Sequence, residues 1–473
     1  MPDQLSARVI GWFALVIPEL EMLVGITAGD YSERDKLYPC ESELAPGYII
    51  PAALAGEAYR RHRAMKSRSY MRCHRTTWML LLVVAVASTP YGHAADDPIV
   101  QFDFGRTSTS LPFKLVDGRI FVNVKVNGEG PFAFLFDTGA DADISSGLAE
   151  RLHLSPGNTE TGTGTGEKPV TAVDTTVRAL QIGDLRLSNV AFHAISLDDA
   201  PAVFGKQPVD GIIGFPILEQ LIVEVDYASN RLRLTLPSAY TPRRAGTTMH
   251  FERLRWVPLV DATLDGIRGK FGVDTGARLS LLLYGPFVDQ NDLRTKYSSQ
   301  VSGVTGWGLG GPIRSQIARA RIFTLGNLEV RDPLVRLSLQ KSGGLTTSDT
   351  SGLIGPDILS QFNITFDYGR QSITFQKNRH FGKRSTFDRV GVWLGQDSAG
   401  FRVIDVVAGS PADIAGIKSG DAVLAIDGKS TQSLDLTNVR ERFRSDPVGS
   451  KLQLRVQSGA DVKDIVLSLR ELV

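Results

Sequence analysis

The residues with the clearest chemical meaning are two carboxylates in matching contexts. Phe134-Leu-Phe-Asp137-Thr138-Gly139-Ala140 recurs as Phe271-Gly-Val-Asp274-Thr275-Gly276-Ala277, 137 residues later. Each copy follows a short apolar run. A single Asp-Thr-Gly would say little, because turns use all three residues freely. Two copies supply a pair of acids. Carboxyl groups held about 3 Å apart cannot both ionise, so they share one proton. The ionised member takes a proton from water while the protonated member gives one to a carbonyl oxygen. That chemistry hydrolyses an amide without a covalent intermediate. The titration belongs to the pair, so sequence alone assigns neither role to Asp137 or Asp274. Gly139 and Gly276 suit a tight turn where two backbones approach.

The elements that must position these acids repeat as well. Gly211-Ile-Ile-Gly214-Phe-Pro-Ile217-Leu218 recurs as Gly352-Leu-Ile-Gly355-Pro-Asp-Ile358-Leu359, and 8 of 17 positions are identical between 211–227 and 352–368. An ungapped match of that density marks an internal duplication. Both halves read as strands. Residues 119–126 alternate and end at the hairpin signal Asn127-Gly128. Residues 221–227 and 231–236 alternate around a turn, as do 364–368 and 372–375 in the second half. Short strands with frequent turn signals predict a β-barrel in each half, over 100–240 and 241–380.

These motifs resemble the retropepsin-like aspartic proteases, in which Asp-Thr-Gly-Ala follows an apolar strand and a hydrophobic-hydrophobic-Gly segment comes later. Both appear twice here, the second as Ile212-Ile213-Gly214 and Leu353-Ile354-Gly355, and the resemblance covers about 110–380. It implies an aspartic-type endopeptidase acting on peptide or protein substrates without a cofactor or metal. It further implies that Thr138 and Thr275 hydrogen-bond across the lobe interface, and that Gly214 and Gly355 lie beneath the aspartate loops. Two lobes in one chain make an intramolecular pair, and hence a monomer, the simplest arrangement. Pairing between chains and a non-catalytic peptide-holding protein are the alternatives. The family covers its cleft with glycine-rich hairpins. The candidates are 161–166, with Gly164 at its centre, and 303–311, with Gly306 and with Trp307 leaning on a bound peptide. After the aspartates the copies diverge into Asp141-Ala-Asp143 and Arg278-Leu-Ser280. Arg278 either acts on the carboxylates or a substrate carboxylate, or is a surface arginine paired locally.

From about 386 the pattern changes. Gly409-Ser410-Pro411-Ala412, Gly420-Asp421 and Ile426-Asp427-Gly428 resemble the PDZ domains of bacterial envelope proteases. Ser410 is an N-cap with Pro411 at the first helical position, Gly416 ends the short helix, and 436–443 reads as a second helix. The resemblance implies a domain over 386–473 that binds C-terminal peptides by strand addition. The loop Val392-Trp393-Leu394-Gly395, ahead of a strand at 401–407, would receive them.

Residues 71–94 read as a signal peptide. Arg72, His74 and Arg75 precede the apolar stretch 78–87, Pro90 breaks it, and Gly92-His93-Ala94 offers small residues. Ten apolar residues are too few to span a bilayer as a helix. The expected location is periplasmic or secreted, with anchoring through an uncleaved signal as the alternative. Such a leader makes 1–70 either an over-extended start or a genuine, disordered extension. Composition agrees with a break there, since both cysteines, Cys40 and Cys73, and five of six methionines fall in 1–94. Two cysteines make neither a disulfide framework nor a four-cysteine zinc site. The net charge of +1 gives no footprint for nucleic acid.

Overall fold

The computed structural model describes residues 99–242 and 245–473, together with the backbone of three short strands nearer the amino terminus, Trp12–Ile17, Met22–Thr27 and Ile49–Pro51. Those three form an antiparallel sheet in a unit of their own. The expected leader at 71–94 lies outside the described residues, as does the rest of 1–70. Residues 92–473 form the second unit, and everything below concerns it.

The fold is mainly β, as the alternation predicts. In the first half, Arg119–Val126 and Glu129–Phe136 pair around Asn127-Gly128, whose two positive φ angles make the hairpin turn. Glu129–Phe136 then pairs in parallel with Gly211–Ile213, which joins antiparallel to Asp143–Ser145. The second half repeats this order. Ile267–Val273 pairs in parallel with Gly352–Ile354, which joins antiparallel to Leu281–Leu283. The recurrence of the two sequence motifs is therefore a recurrence of one strand-crossing.

The sheets are not closed barrels, and that expectation is corrected. The first runs from the hairpin strand Thr159–Thr163 to the short strand Lys114–Val116 and ends there, and the second is likewise open. Closure needs every edge paired. The long strand Pro169–Ile182 instead divides its length. One part pairs with Thr159–Thr163, and only Leu180 and Gln181 reach Val126 and Lys125. The sheet folds back on itself and leaves the projecting hairpin free.

A third sheet joins the halves. Ile222–Asp226 pairs antiparallel with Phe362–Asp367, with Glu224 opposite Thr365 at the centre. These strands are repeat equivalents, so their register is symmetric about that centre. Val223, Val225, Ile364 and Phe366 are all buried and join one apolar core spanning both halves. Edge-to-face aromatic pairs such as Phe271 with Phe323 and Phe362 with Phe375 fill it.

Residues 392–468 form a separate sheet in the order Val392–Asp397, Gly400–Val406, Ala422–Ile426, Lys451–Ser458, Asp461–Ser468. The helices Pro411–Ile414 and Leu436–Ser445 pack on its own core. Ser410 Oγ caps the first by accepting the Asp413 N–H, and Asp427-Gly428 turns the chain with two positive φ angles. Residues 392–395 are strand, so the expected receiving loop is corrected. The turn at Ser398-Ala399 closes a tight hairpin, and pairing with Gly400–Val406 extends back to Val392.

Phe366 lies at the junction of both halves and is fully buried. Phe366→Ala is expected to cost about 3–5 kcal/mol, read as a lower urea midpoint for the transition of the lobes.

Candidate active site

Asp137 and Asp274 each sit one residue past the end of a strand, at the point where the chain leaves the sheet. The Asp137 N–H donates to the Ile213 carbonyl at 3.0 Å, and the Asp274 N–H to the Ile354 carbonyl at 3.0 Å. The hydrophobic-hydrophobic-Gly segments thereby anchor the aspartates directly. Gly214 and Gly355 close the same crossing. A Cβ on Gly214 would overlap the carbonyls of Ala140 and Asp141, and one on Gly355 would meet the Leu279 carbonyl. No larger residue leaves room for the loop that follows each aspartate.

Between the halves, four hydrogen bonds form a reciprocal clasp. The Thr138 N–H donates to Thr275 Oγ1 at 3.1 Å, and the Thr275 N–H donates to Thr138 Oγ1 at 3.1 Å. Thr138 Oγ1 donates on to the Val273 carbonyl at 2.8 Å, and Thr275 Oγ1 to the Phe136 carbonyl at 3.0 Å. Both threonines are fully buried. Each hydroxyl accepts one bond and donates another across the interface, so no polar atom of the clasp is stranded. This is the arrangement the family resemblance implies for these residues.

The clasp presses the two aspartate loops together. The space that a Cβ would take on Gly276 is filled by the Asp137 carboxyl, and that on Gly139 lies 2.9 Å from Asp274 Cγ. Each glycine therefore makes room for the opposite acid. The carboxyls are close enough for each to shift the other. Burial drives both up from the ordinary carboxylate range, and for Asp137 the charge of Asp274 adds to the rise. The pair is not symmetric. Asp137 Oδ1 accepts one N–H, from Gly139 at 2.7 Å, whereas Asp274 Oδ1 accepts from Gly276 at 2.8 Å and Ala277 at 3.0 Å. The nearby Arg119 guanidinium acts on both acids. With the additional N–H, the shared negative charge rests more easily on Asp274.

Sequence reasoning passed over Arg119. It is buried, donates through Nε to the Gly276 carbonyl at 2.9 Å, and is pulled down to about 10 chiefly by burial. A charged residue opening an otherwise apolar alternating strand was the available signal. Arg278, by contrast, is no surface residue and does not reach the carboxylates. Its side chain is buried, ion-paired to Asp117 and laid over the Trp393 ring at 5.1 Å. Asp141 faces His193 Nε2 at 3.2 Å, whose Nδ1 meets Asp174 at 3.1 Å. Asp143 lies buried beside them, and burial raises it to about 7.

The two glycine-rich hairpins meet each other. The Gly166 N–H donates to the Leu309 carbonyl at 2.9 Å, the Lys168 N–H to the Gly310 carbonyl at 3.0 Å, and the Gly344 N–H to the Gly164 carbonyl at 2.8 Å. A Cβ on Gly164 or Gly166 would collide with the facing backbone. Gly306 sits at an irregularity in the strand Ser302–Gly308. Trp307 packs on the apolar cluster of Phe121, Leu135 and Ile212, with its indole N–H donating to Asp199 at 3.2 Å. It is engaged with the first half rather than held ready for a ligand. Trp393, Leu394 and Gly395 are buried, and Gly395 faces the Ala202 carbonyl.

Residues 122–217 match the family model for aspartyl protease, and residues 402–458 match that for a PDZ domain. No curated protein matches the chain.

Thr138→Val keeps the shape but removes one hydroxyl and strands the Thr275 N–H. It is expected to cost about 1–3 kcal/mol for that orphaned donor, measured as a lower thermal midpoint, whereas Thr138→Ser recovers most of the loss.

Proposed function

We propose that the protein is an aspartic-type endopeptidase in which Asp137 and Asp274 of a single chain activate water against a peptide bond, and that its PDZ domain binds peptide C-termini. The aspartyl protease and PDZ domains are the coarse finding. The observation that carries the finer reading is the buried carboxyl pair, each acid seated in the space of the opposite glycine. One shared proton in that position supplies an acid and a base in one stroke. Asp274, with two N–H donors to its carboxylate, acts as the base that takes a proton from water. Asp137, held well above the usual carboxylate range, gives its proton to the carbonyl oxygen. The tetrahedral adduct then collapses as a proton passes to the leaving nitrogen.

The meeting hairpins supply the second requirement, which is to exclude bulk water during the reaction and to part for substrate and product. One chain holds both acids, which supports an active monomer. The reading includes export to the periplasm or beyond, on the strength of the 71–94 pattern. The substrates are peptides or proteins, and no metal or nucleotide enters the scheme.

Asp137→Asn and Asp274→Asn are each expected to lower kcat on a quenched peptide library by about 10²–10⁴-fold, the usual weight of general acid–base catalysis. Full activity in either single variant sinks the paired mechanism, and no cleavage by wild type would favour a peptide-holding protein. Light scattering on the active fraction is expected to give the mass of one chain. The activity profile is expected to fall on the acid side as Asp274 gains a proton and on the alkaline side as Asp137 loses its own. Because burial raises Asp137, the alkaline limb should lie well above about 4, the ordinary value for an aspartate. An alkaline limb near 4 contradicts the assignment.

A further inference from the structure

The strand Val392–Asp397 is an edge. One side pairs with Gly400–Val406 and the other faces the helix Leu436–Ser445 across a groove. That groove is filled by the chain's own first lobe. The Ala202 carbonyl lies 3.3 Å from the Cβ position of Gly395, and the Cβ position of Gly205 meets Gln396 on the strand side and Leu436 on the helix side. Lys206 Nζ donates to the Gln432 carbonyl at 2.7 Å. Arg440, on the helix, donates to the Val203 carbonyl at 2.6 Å and to the Leu394 carbonyl of the edge strand. The acceptor that an added strand would need is thereby occupied. Val203 and Phe204 turn their side chains into the lobe, so the segment presents mainly backbone to the groove.

The beginning of the edge strand opens on a cavity lined by Arg278, Arg336, Arg440 and Arg444, by Asp388 and Asp405, and by Gly391, Val392 and Trp393. Of its own carboxylates, Asp388 accepts the Val390 and Gly391 N–H groups and Asp405 pairs with Arg314, and neither lies within salt-bridge distance of the four arginines. Asp117 serves Arg278 and Arg440 at once, and Asp357 is held by Arg444 at 3.0 Å. Arg336 is buried, bonds only the Arg278 carbonyl, and has no carboxylate within salt-bridge distance among the described residues. Arg440 Nε and Trp393 Nε1 are buried without a hydrogen-bond partner. Buried charge calls for a counter-charge, and a free carboxylate at the head of an extended chain has the right sign for this place.

The same elements hold the second hairpin. Asp405, on the strand next to the edge, accepts the Val304 N–H at 2.6 Å and pairs with Arg314 at 3.3 Å. Trp307 of that hairpin is tied to Asp199, the residue that leads into the groove-filling segment.

We propose that the groove between Val392–Asp397 and Leu436–Ser445 is a docking surface for the carboxyl-terminal end of an extended peptide, closed in the free protein by the chain's own residues 200–206, and that a ligand entering it frees the second hairpin. The inference rests on the reading of the PDZ domain as peptide-binding and adds what masks it and what its occupancy controls. The coupling runs through Asp199 to Trp307 on one side and through Arg440, Asp117 and Arg278 to the second Asp-Thr-Gly loop on the other.

The test uses the full chain and a pool of fluorescein-labelled decapeptides randomised at the last four positions, made once with a free carboxylate and once as the amide. The acid pool is expected to bind at least tenfold more tightly than the amide pool. Ligand is expected to raise backbone hydrogen exchange at 199–206 and at 302–308. Gly205→Val puts a side chain at a φ of +63° against Gln396 and Leu436, unseats the segment, and is expected to tighten binding about fivefold or more. Asp405→Asn is expected to raise exchange at 302–308 and, because the coupling is reciprocal, to tighten binding of the acid pool. Equal binding of acid and amide, binding that leaves exchange at 199–206 untouched, or no binding by wild type and Gly205→Val alike overturns the docking inference. Unchanged exchange at 302–308 overturns its second half. If ligand moves both segments but no form of the protein cleaves a quenched peptide library, the docking inference stands and the endopeptidase reading falls.

Discussion

The reciprocal hydrogen bonding of Thr138 and Thr275 is the constraint on which the rest of the site depends. Two carboxyl groups repel one another when ionised and lose hydration when buried, so bringing Asp137 and Asp274 together is unfavourable by itself. The clasp offsets this with four buried bonds that cross the interface and leave no orphaned group. It works only because the paired strands Ile222–Asp226 and Phe362–Asp367 fix the two halves about one centre. The backbone symmetry is close, and the chemical asymmetry comes from what surrounds it. One additional N–H falls on the Asp274 side.

The C-terminal domain enters the same electrostatic system. Asp117 is fully enclosed and is held well below the usual carboxylate range by Arg278, Arg440 and Arg119, against the opposing effect of its burial. One arginine follows the second Asp-Thr-Gly, one comes from the PDZ helix, and one supports the Gly276 carbonyl. A buried ion shared in this way ties the three parts together. Removing one partner leaves uncompensated charge inside the protein, which is far costlier than losing an exposed pair. Arg278 and Arg440 also both lie over the Trp393 ring, at 5.1 and 4.8 Å. Trp393, expected to receive a peptide, is a packing surface for two guanidinium groups.

What was legible in the chain was whatever repeats or is local. The strand-crossings, the aspartates, the threonines and the closing glycines could be read because the duplication prints each twice, and a turn or cap needs only a few neighbouring residues. The helix at 411–414 and its Ser410 cap are of this kind. The openness of the sheets was not legible, because barrel closure depends on which edges a long strand such as Pro169–Ile182 reaches. Nor was Arg278, whose partner lies 161 positions earlier at Asp117. Arg119 went unassigned because its role is set by a carbonyl of the other half.

By itself the sequence determined which groups carry chemistry and how each half folds around them, since the hydrophobic pattern and turn residues act over short range. It did not determine where the C-terminal domain sits, that residues 200–206 fill its groove, or that Asp405 holds the second hairpin. Those contacts join residues up to 323 positions apart, as between Arg440 and Asp117. They arise from shape and charge complementarity between finished surfaces, and such complementarity exists only after each part has folded.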